Sequence, residues 1–567
     1  MIARQRALEA LRGEEFDVLV IGGGITGAGV ALDAASRGYS VALVEQRDYA
    51  AGTSSRSSKL VHGGLRYLQN FDLGLVREAL LERQLMVRLA PHLVKPLKMV
   101  VPAFEGARPD RLVGIGLNMY DVMSAPRLRG RRGARRAAQQ LAARAQKQEE
   151  DEPDSEWSPA RHRTISGEEV LQLLPALAHR EPTGGYLFYD CQTDDVRLVL
   201  TVLGEAERFG AICANRLRVT ELVNGGTGEG EPGVRVVDAD SGEELLVRAA
   251  NVINATGVWA DQIRPEELEL EAEVPKIAPS RGTHVLVDPA DLPLRAGAIV
   301  PAGEGRSIFA LPWLGRSLLG TTDNNYSGSL DHVQPAFEDI DYLLEATNRF
   351  FGTSLGRDDL AGAYAGVRPL ISSGDTRKSV DISRKAELYE TSSGLITITG
   401  GKLTTWRRMA KMAVDRLVER DGREAACRTQ EIPLGLPIDP AALPRVAGVP
   451  EDAYALLAHR YGYAARDVLA VAAEHPELAQ PIVPDLPDLL AEARFSARNE
   501  QAHTVGDVLL RRTRVGLLAG RRLAEPGCEV PLRVAEAVGA ELGWDRDQAR
   551  QEALRFGEEA AAEGVGA

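Results

Sequence analysis

A glycine-rich turn between two short apolar runs constrains this chain more than any other stretch. Phe16-Asp17-Val18-Leu19-Val20-Ile21 reads as a buried parallel strand. Gly22-Gly23-Gly24-Ile25-Thr26-Gly27 follows as a G-x-G-x-x-G turn. A helical segment then runs to about Arg37, and a second strand through Val41-Ala42-Leu43-Val44. Glu45 ends that strand, eighteen residues past Gly27. Gly22 allows the tight turn, Gly24 lets the backbone approach a pyrophosphate, and Gly27 lets the helix pack close to the strand. The free N–H groups at the helix start favour the anion. An acid at the end of the second strand accepts bonds from a ribose hydroxyl pair. An ordinary glycine turn would give the lone motif. Strand, turn, helix, strand and acid in this order point to dinucleotide binding.

The next stretch indicates which dinucleotide. Thr53-Ser54-Ser55-Arg56-Ser57-Ser58-Lys59-Leu60 leads into His62-Gly63-Gly64-Leu65-Arg66-Tyr67. A run of small hydroxyl residues is usually a solvated loop. Here it sits directly after the ribose-binding acid, where a longer cofactor would continue. TSSRSSKLVHGGLRYL resembles the signature of the FAD-dependent, quinone-linked glycerol-3-phosphate dehydrogenases and of the related alpha-glycerophosphate oxidases. The resemblance extends to near residue 530, apart from one insert.

The resemblance implies an α/β fold followed by an α-helical part. A Rossmann-like FAD-binding domain of the glutathione-reductase and D-amino-acid-oxidase type is expected mainly at 14–125, 185–260 and 390–425. An antiparallel substrate domain, mainly 261–389, interleaves with it over 1–430, with an insert at 126–163. A C-terminal helical domain is expected at 431–567. The implied FAD contacts are Gly22, Gly24, Ile25, Thr26, Gly27, Glu45, Gln46, Thr53, Ser54, Ser57, Ser58, Lys59, Leu60, His62, Gly63 and Gly64. Ala255, Thr256, Gly257, Gly401, Lys402, Leu403 and Thr404 complete them. The motif around His62 matches relatives that hold FAD without a covalent link, so non-covalent FAD is expected.

At 567 residues the chain can bury a large core in two or three domains. The formal net charge of −14 disfavours general nucleic-acid binding and, away from a local basic patch, anionic lipid. Cys191, Cys213, Cys427 and Cys528 lie far apart with no C-x-x-C. Reduced, mostly buried thiols are expected, with no metal site and no redox pair; they suit a reducing compartment. Met1 to Gly13 carries charges throughout and does not read as a signal peptide. No uncharged run approaches the ~20 apolar residues of a membrane helix, so membrane contact is expected to be peripheral.

Leu73 to Leu89 is rich in helix formers, with Leu81, Leu85 and Leu89 four apart; core packing is expected, and a membrane-facing stripe is the alternative. Arg127 to Lys147 is basic throughout, and Glu149 to Glu156 supplies six acids, so a plain surface insert is expected. Thr193 to Phe209 reads as a helix. Glu244 to Val247 and Asn251 to Asn254 read as strands, the second ending in Ala255-Thr256-Gly257. Thr283 to Val287 and Ser307 to Leu311 suit an antiparallel sheet. Leu395 to Thr399 returns to the first sheet. Gly400-Gly401-Lys402 then precedes a helix with Trp406, Met409, Ala410, Ala413 and Leu417 as its stripe, capped by Thr404 or Thr405. Amphipathic segments follow near Glu451 to Tyr461, Asp488 to Glu500, Val505 to Leu518 and Val534 to Phe556. Arg494 and Arg498 alongside Glu500, and Arg511, Arg512 and Arg514, are expected in structural ion pairs.

The resemblance implies sn-glycerol 3-phosphate as substrate. Its phosphate dianion needs fixed cations, and arginine offers a planar fork that lysine cannot copy. The family's active-site residues fall on Arg66 and Tyr67, on His284, Arg368, Arg384 and Lys402. Arg66, Tyr67, Arg368 and Arg384 are the expected substrate contacts; His284, Arg368 and Lys402 are the expected catalytic set. His284 suits the base that takes the C2 hydroxyl proton. Equally, it hydrogen-bonds substrate while Arg368 polarises the hydroxyl. Lys402 would favour negative charge developing on the flavin. Ser383-Arg384-Lys385-Ala386 departs from the acid or aromatic that often follows this arginine in relatives. The leading expectation is a cytoplasmic, peripheral membrane dehydrogenase, a homodimer, passing electrons to a membrane quinone. An oxidase using oxygen, a flavoprotein without turnover and an amine or amino-acid oxidase are the alternatives.

Overall fold

The computed structural model describes residues 3–64, 73–104, 111–124, 161–223, 232–265, 268–303, 305–372, 385–525 and 527–566. Arg66, Tyr67, Arg384 and almost all of the 126–163 insert lie outside them.

Two sheets organise these residues. The first runs Ala386–Glu390, Ile396–Gly400, Glu244–Asn254, Glu15–Ile21, Val41–Val44, Ile212–Ala214, with Gly233–Asp238 and Leu217–Val223 as an antiparallel extension. Its central strands are parallel: Glu15–Ile21 pairs with both Glu244–Asn254 and Val41–Val44. Val18, Leu19 and Val20 are buried from both faces, as expected of an apolar parallel strand. The helix Ile25–Ser36 covers one face and packs on Asp195–Arg208 and Trp406–Arg420. Glu244–Asn254 is one continuous strand where two were expected, because Arg248 and Ala249 still pair with Glu15 and Phe16.

The second sheet is antiparallel at its centre. Ile277–Val287 lies between Leu360–Ile371 and Arg316–Gly320, followed by Ser307–Trp313 and Gly297–Pro301. It continues through Lys95–Ala103 and Gly184–Gln192 to Leu60–Val61. Those last three strands come from stretches that the sequence reading places with the first sheet. Ala386–Glu390, read with the second, pairs instead with Ile396–Gly400.

The remaining chain is helical. Val534 to Phe556 is two helices, Val530–Leu542 and Arg546–Glu563, because Gly543 takes a left-handed φ of 74° that ends the first. On the helix Leu73–Leu89 the inward face carries Val76, Ala79, Leu80, Met86, Val87 and Leu89; of the expected stripe Leu89 is buried and Leu85 packs against the core, but Leu81 is 40% exposed. The charges Glu82 and Arg83 are inside because each has a partner, Arg407 and Asp190. Arg494 and Arg498 pair with Glu541, not with Glu500. Fold class and architecture thus agree with the sequence reading. Among the described residues no helix is long and apolar enough to cross a membrane.

Candidate active site

The glycine turn opens onto a cavity of about 470 Å³. Its positions are those that tolerate no side chain. Gly22 has φ 110°, and a Cβ there would sit 2.8 Å from the Ala255 carbonyl oxygen. A Cβ on Gly27 would run into the Gly22 carbonyl oxygen. Gly24 faces the hydroxyl loop: a Cβ would lie 3.1 Å from Ser54 Oγ, which accepts the Ile25 N–H at 3.0 Å.

Glu45 hangs over the turn. Its two carboxylate oxygens accept the Gly23 N–H at 2.7 Å and the Arg47 N–H at 2.9 Å. Burial raises its pKa, against those two bonds. Each oxygen keeps a lone pair, so the acid is fixed in place and still able to accept.

The hydroxyl loop runs along the cavity between the two sheets. Thr53 Oγ1 donates to the Val367 carbonyl at 2.6 Å, tying it to the strand Leu360–Ile371. Ser58 Oγ lies 2.9 Å from His284 Nε2. His284 stacks on Tyr364 with ring centroids 4.8 Å apart. Its Nδ1 has no hydrogen-bond partner among the described residues. Burial, then Lys59 and Arg368, hold it well below the ordinary histidine range, so the ring is neutral.

Arg368 lies four register positions along the same strand from Tyr364, opposite Ser280. Its guanidinium donates to Thr321 Oγ1 and the Thr322 carbonyl, both at 3.1 Å, and pairs with Asp323 at 3.4 Å. Asp323 and Thr321 also line the cavity, and the sequence reading missed both; G-T-T-D reads as an ordinary turn, and the partner arginine is far away in sequence. Lys402 also lines the cavity, after Gly400 and Gly401, which take φ of 79° and 68°. Thr404, expected as a cap, does something else: its hydroxyl accepts the His62 N–H at 3.1 Å and donates to the His62 carbonyl at 3.2 Å.

Of the expected cofactor residues, Gly27, Lys59 and Gly63 do not line the cavity, and the others do, together with His284, Arg368 and Lys402. Gly27 acts through close packing. Gly63 gives its N–H to the Tyr120 hydroxyl at 2.8 Å. Lys59 is buried on Asp195, 2.7 Å away.

Residues 17–416 match the FAD-dependent oxidoreductase family, and residues 396–549 match the C-terminal domain of alpha-glycerophosphate oxidase. A glycerol-3-phosphate dehydrogenase of Mycobacterium leprae is 36% identical over 99% of this chain and 90% of its own length. One from Synechocystis is 33% identical over 98% of both. The chain belongs to the FAD-dependent glycerol-3-phosphate dehydrogenase family. A solved member from Bacillus halodurans, complexed with FAD, superposes with a TM-score of 0.74 over 99% of this chain and 98% of that one, at 28% identity.

FAD, the family's cofactor, fits the residues present. The glycine cradle that a Cβ would fill suits a pyrophosphate at a helix start, and the anchored, half-paired Glu45 suits a ribose. The cavity continues past the hydroxyl loop to Lys402, His284 and Arg368, far enough for a flavin end.

Proposed function

We propose that the protein oxidises sn-glycerol 3-phosphate to dihydroxyacetone phosphate and passes the electrons to a membrane quinone. The observation that carries the reading is one cavity whose lining joins a dinucleotide cradle to a neutral histidine, Arg368 and Lys402. When bound, FAD supplies the acceptor for the C2 hydride. Arg368 offers a planar fork of donors to an anion, and Arg66 and Arg384 are proposed as further phosphate contacts. His284 takes the C2 hydroxyl proton: its Nδ1 keeps a lone pair when Nε2–H is donated to Ser58. A guanidinium cannot take that proton, so Arg368 polarises the hydroxyl instead. Lys402 adds positive charge where negative charge develops.

Peripheral binding to the cytoplasmic membrane surface, FAD held non-covalently and a homodimer belong to the same proposal. Exposed Leu73 and Leu81, and Met412 on a neighbouring helix bridged to theirs by Arg408 and Glu78, support the membrane contact. A second acceptor is favoured by the match of 396–549 to an oxidase domain: oxygen, reduced to hydrogen peroxide. The test is anaerobic mixing with glycerol 3-phosphate, which should bleach the flavin. Reoxidation by a quinone analogue without peroxide supports the dehydrogenase; fast reoxidation by oxygen with one peroxide per turnover supports the oxidase. Yellow colour left in an acid-denatured pellet would refute non-covalent binding.

A further inference from the structure

Lys59 stands in the hydroxyl loop, yet its ammonium ends in the protein interior, with none of it exposed. Nζ donates to Asp195 Oδ2 at 2.7 Å and to the Ser55 carbonyl at 2.6 Å, and lies 4.8 Å from the centre of the Tyr364 ring. Asp195 also accepts the Ser57 N–H at 3.1 Å and the Ser57 hydroxyl at 2.8 Å. Arg514, from the helical C-terminal part, donates to Asp195 Oδ1 at 3.0 Å and to the Ser55 carbonyl at 2.8 Å. The Tyr364 hydroxyl donates to the Ser57 carbonyl at 2.8 Å. Ser57 is therefore gripped at its N–H, its hydroxyl and its carbonyl, and the next residue is Ser58, on His284.

Two further features mark this as a built arrangement. Lys59 and Arg514 have φ of 60° and 66°, a left-handed conformation that residues with side chains keep only where their surroundings hold them. Lys59, Asp195 and Arg514 are all fully buried in a medium that screens little; burial, then Arg514, pull the Lys59 ammonium down to about 7, so below that pH Lys59 and Arg514 balance Asp194 and Asp195.

We propose that Lys59 and Asp195, backed by Arg514, form a buried positioning set for the reaction: they hold Ser58 on His284 Nε2 and set a positive charge, present on the acid side, beside the Tyr364–His284 stack. The inference rests on the reading of His284 as proton acceptor. The charged and titratable groups facing the imidazole are Lys59 from the loop and Tyr364 and Arg368 from the strand Leu360–Ile371; Asp194, Asp195 and Arg514 stand behind Lys59. Lys59 acts on His284 across the Tyr364 ring and is a positioning residue.

The experiment uses full-length, FAD-loaded protein with ring-¹⁵N-labelled histidine, the His284 signal being the one lost in His284→Ala. In Lys59→Met the titration midpoint of His284 should rise by about one pH unit or more, because a positive neighbour no longer opposes protonation. The acid limb of flavin reduction by glycerol 3-phosphate should move up with it, while KM on the alkaline plateau stays near wild type. Lys59→Arg, which keeps the charge, should restore both. Ser58→Ala should slow reduction about tenfold across the pH range with KM unchanged. A folded, yellow Lys59→Met with an unmoved His284 midpoint overturns the proposal. So does a wild-type reduction rate in Ser58→Ala, which decides the matter if Lys59→Met does not fold. Wild-type flavin that glycerol 3-phosphate does not bleach would sink the substrate reading alone, since the His284 midpoint still reports the coupling.

Discussion

Arg368 is held before any substrate arrives. Thr321 Oγ1, the Thr322 carbonyl and Asp323 occupy several of its donors, and the pair with Asp323 lies at the cavity wall. Truncating it therefore removes a fork and also leaves a carboxylate facing an incoming dianion. Arg368→Ala should cost more than the roughly 2 kcal/mol of one charge-assisted contact, so kcat/KM for glycerol 3-phosphate should fall by well over thirtyfold. Asp323→Asn in the same chain should recover part of that loss, because the orphaned charge is gone. Additive losses in the two variants and their combination would show that Asp323 does not oppose the phosphate. Gly24→Val tests the other end of the cavity: a branched side chain 3.1 Å from Ser54 Oγ fills the cradle, so the purified protein should be colourless and take up no FAD. Gly24 and Glu45 were legible because their spacing carries the chemistry. Asp323 was not, since nothing local to G-T-T-D names a partner forty-five residues on.

Local pattern set the elements well where the buried positions are apolar and less well where they carry paired charges. Glu15–Ile21 and Val41–Val44 follow their continuous apolar runs, and Trp406–Arg420 follows its hydrophobic period. The helix Leu73–Leu89 follows its pattern only in part, because its inward face includes Glu82 and Arg83, and a paired buried charge looks polar to any periodicity argument. The start of Trp406–Arg420 shows a related failure. Thr405 makes no side-chain cap bond, and Thr404 reaches back 342 residues to brace His62 at both its N–H and its carbonyl. Thr404→Val should leave that part-buried N–H unsatisfied and lower stability by about 1–3 kcal/mol. Thr405→Val, losing only a 3.4 Å bond to the Lys402 carbonyl, should cost much less. Thermal melts of the FAD-bound proteins compare the two; equal shifts would mean that Thr404 serves the helix rather than the loop.

At the scale of the molecule, the helical C-terminal part is joined to the first sheet by buried polar groups rather than by a plain apolar seam. Asp48 is held by Arg511 and Arg512, and Arg197 by Glu500. Beside them lies a histidine contact: His459, on the helix Glu451–Tyr461, donates its Nδ1–H to the His92 carbonyl. Burial, with Lys95 adding to it, lowers both rings to about pH 4. The sign follows from proton uptake. Below its ordinary value of about 6.5 an unfolded histidine binds a proton that the folded one refuses until about pH 4, so the unfolded state binds more and stability falls as the pH drops through that window. Asp488, raised to about 6, works against this by holding a proton in the folded state. Comparison with a variant removes that opposing effect. His459→Gln can still donate to the His92 carbonyl but cannot be protonated. Its stability should fall less than that of the wild type between pH 6.5 and 4.5, by about 2 kcal/mol at the acid end. Urea unfolding of both proteins at several pH values measures the difference. Parallel curves would show that His459 titrates normally in the fold and that this junction does not sense acid.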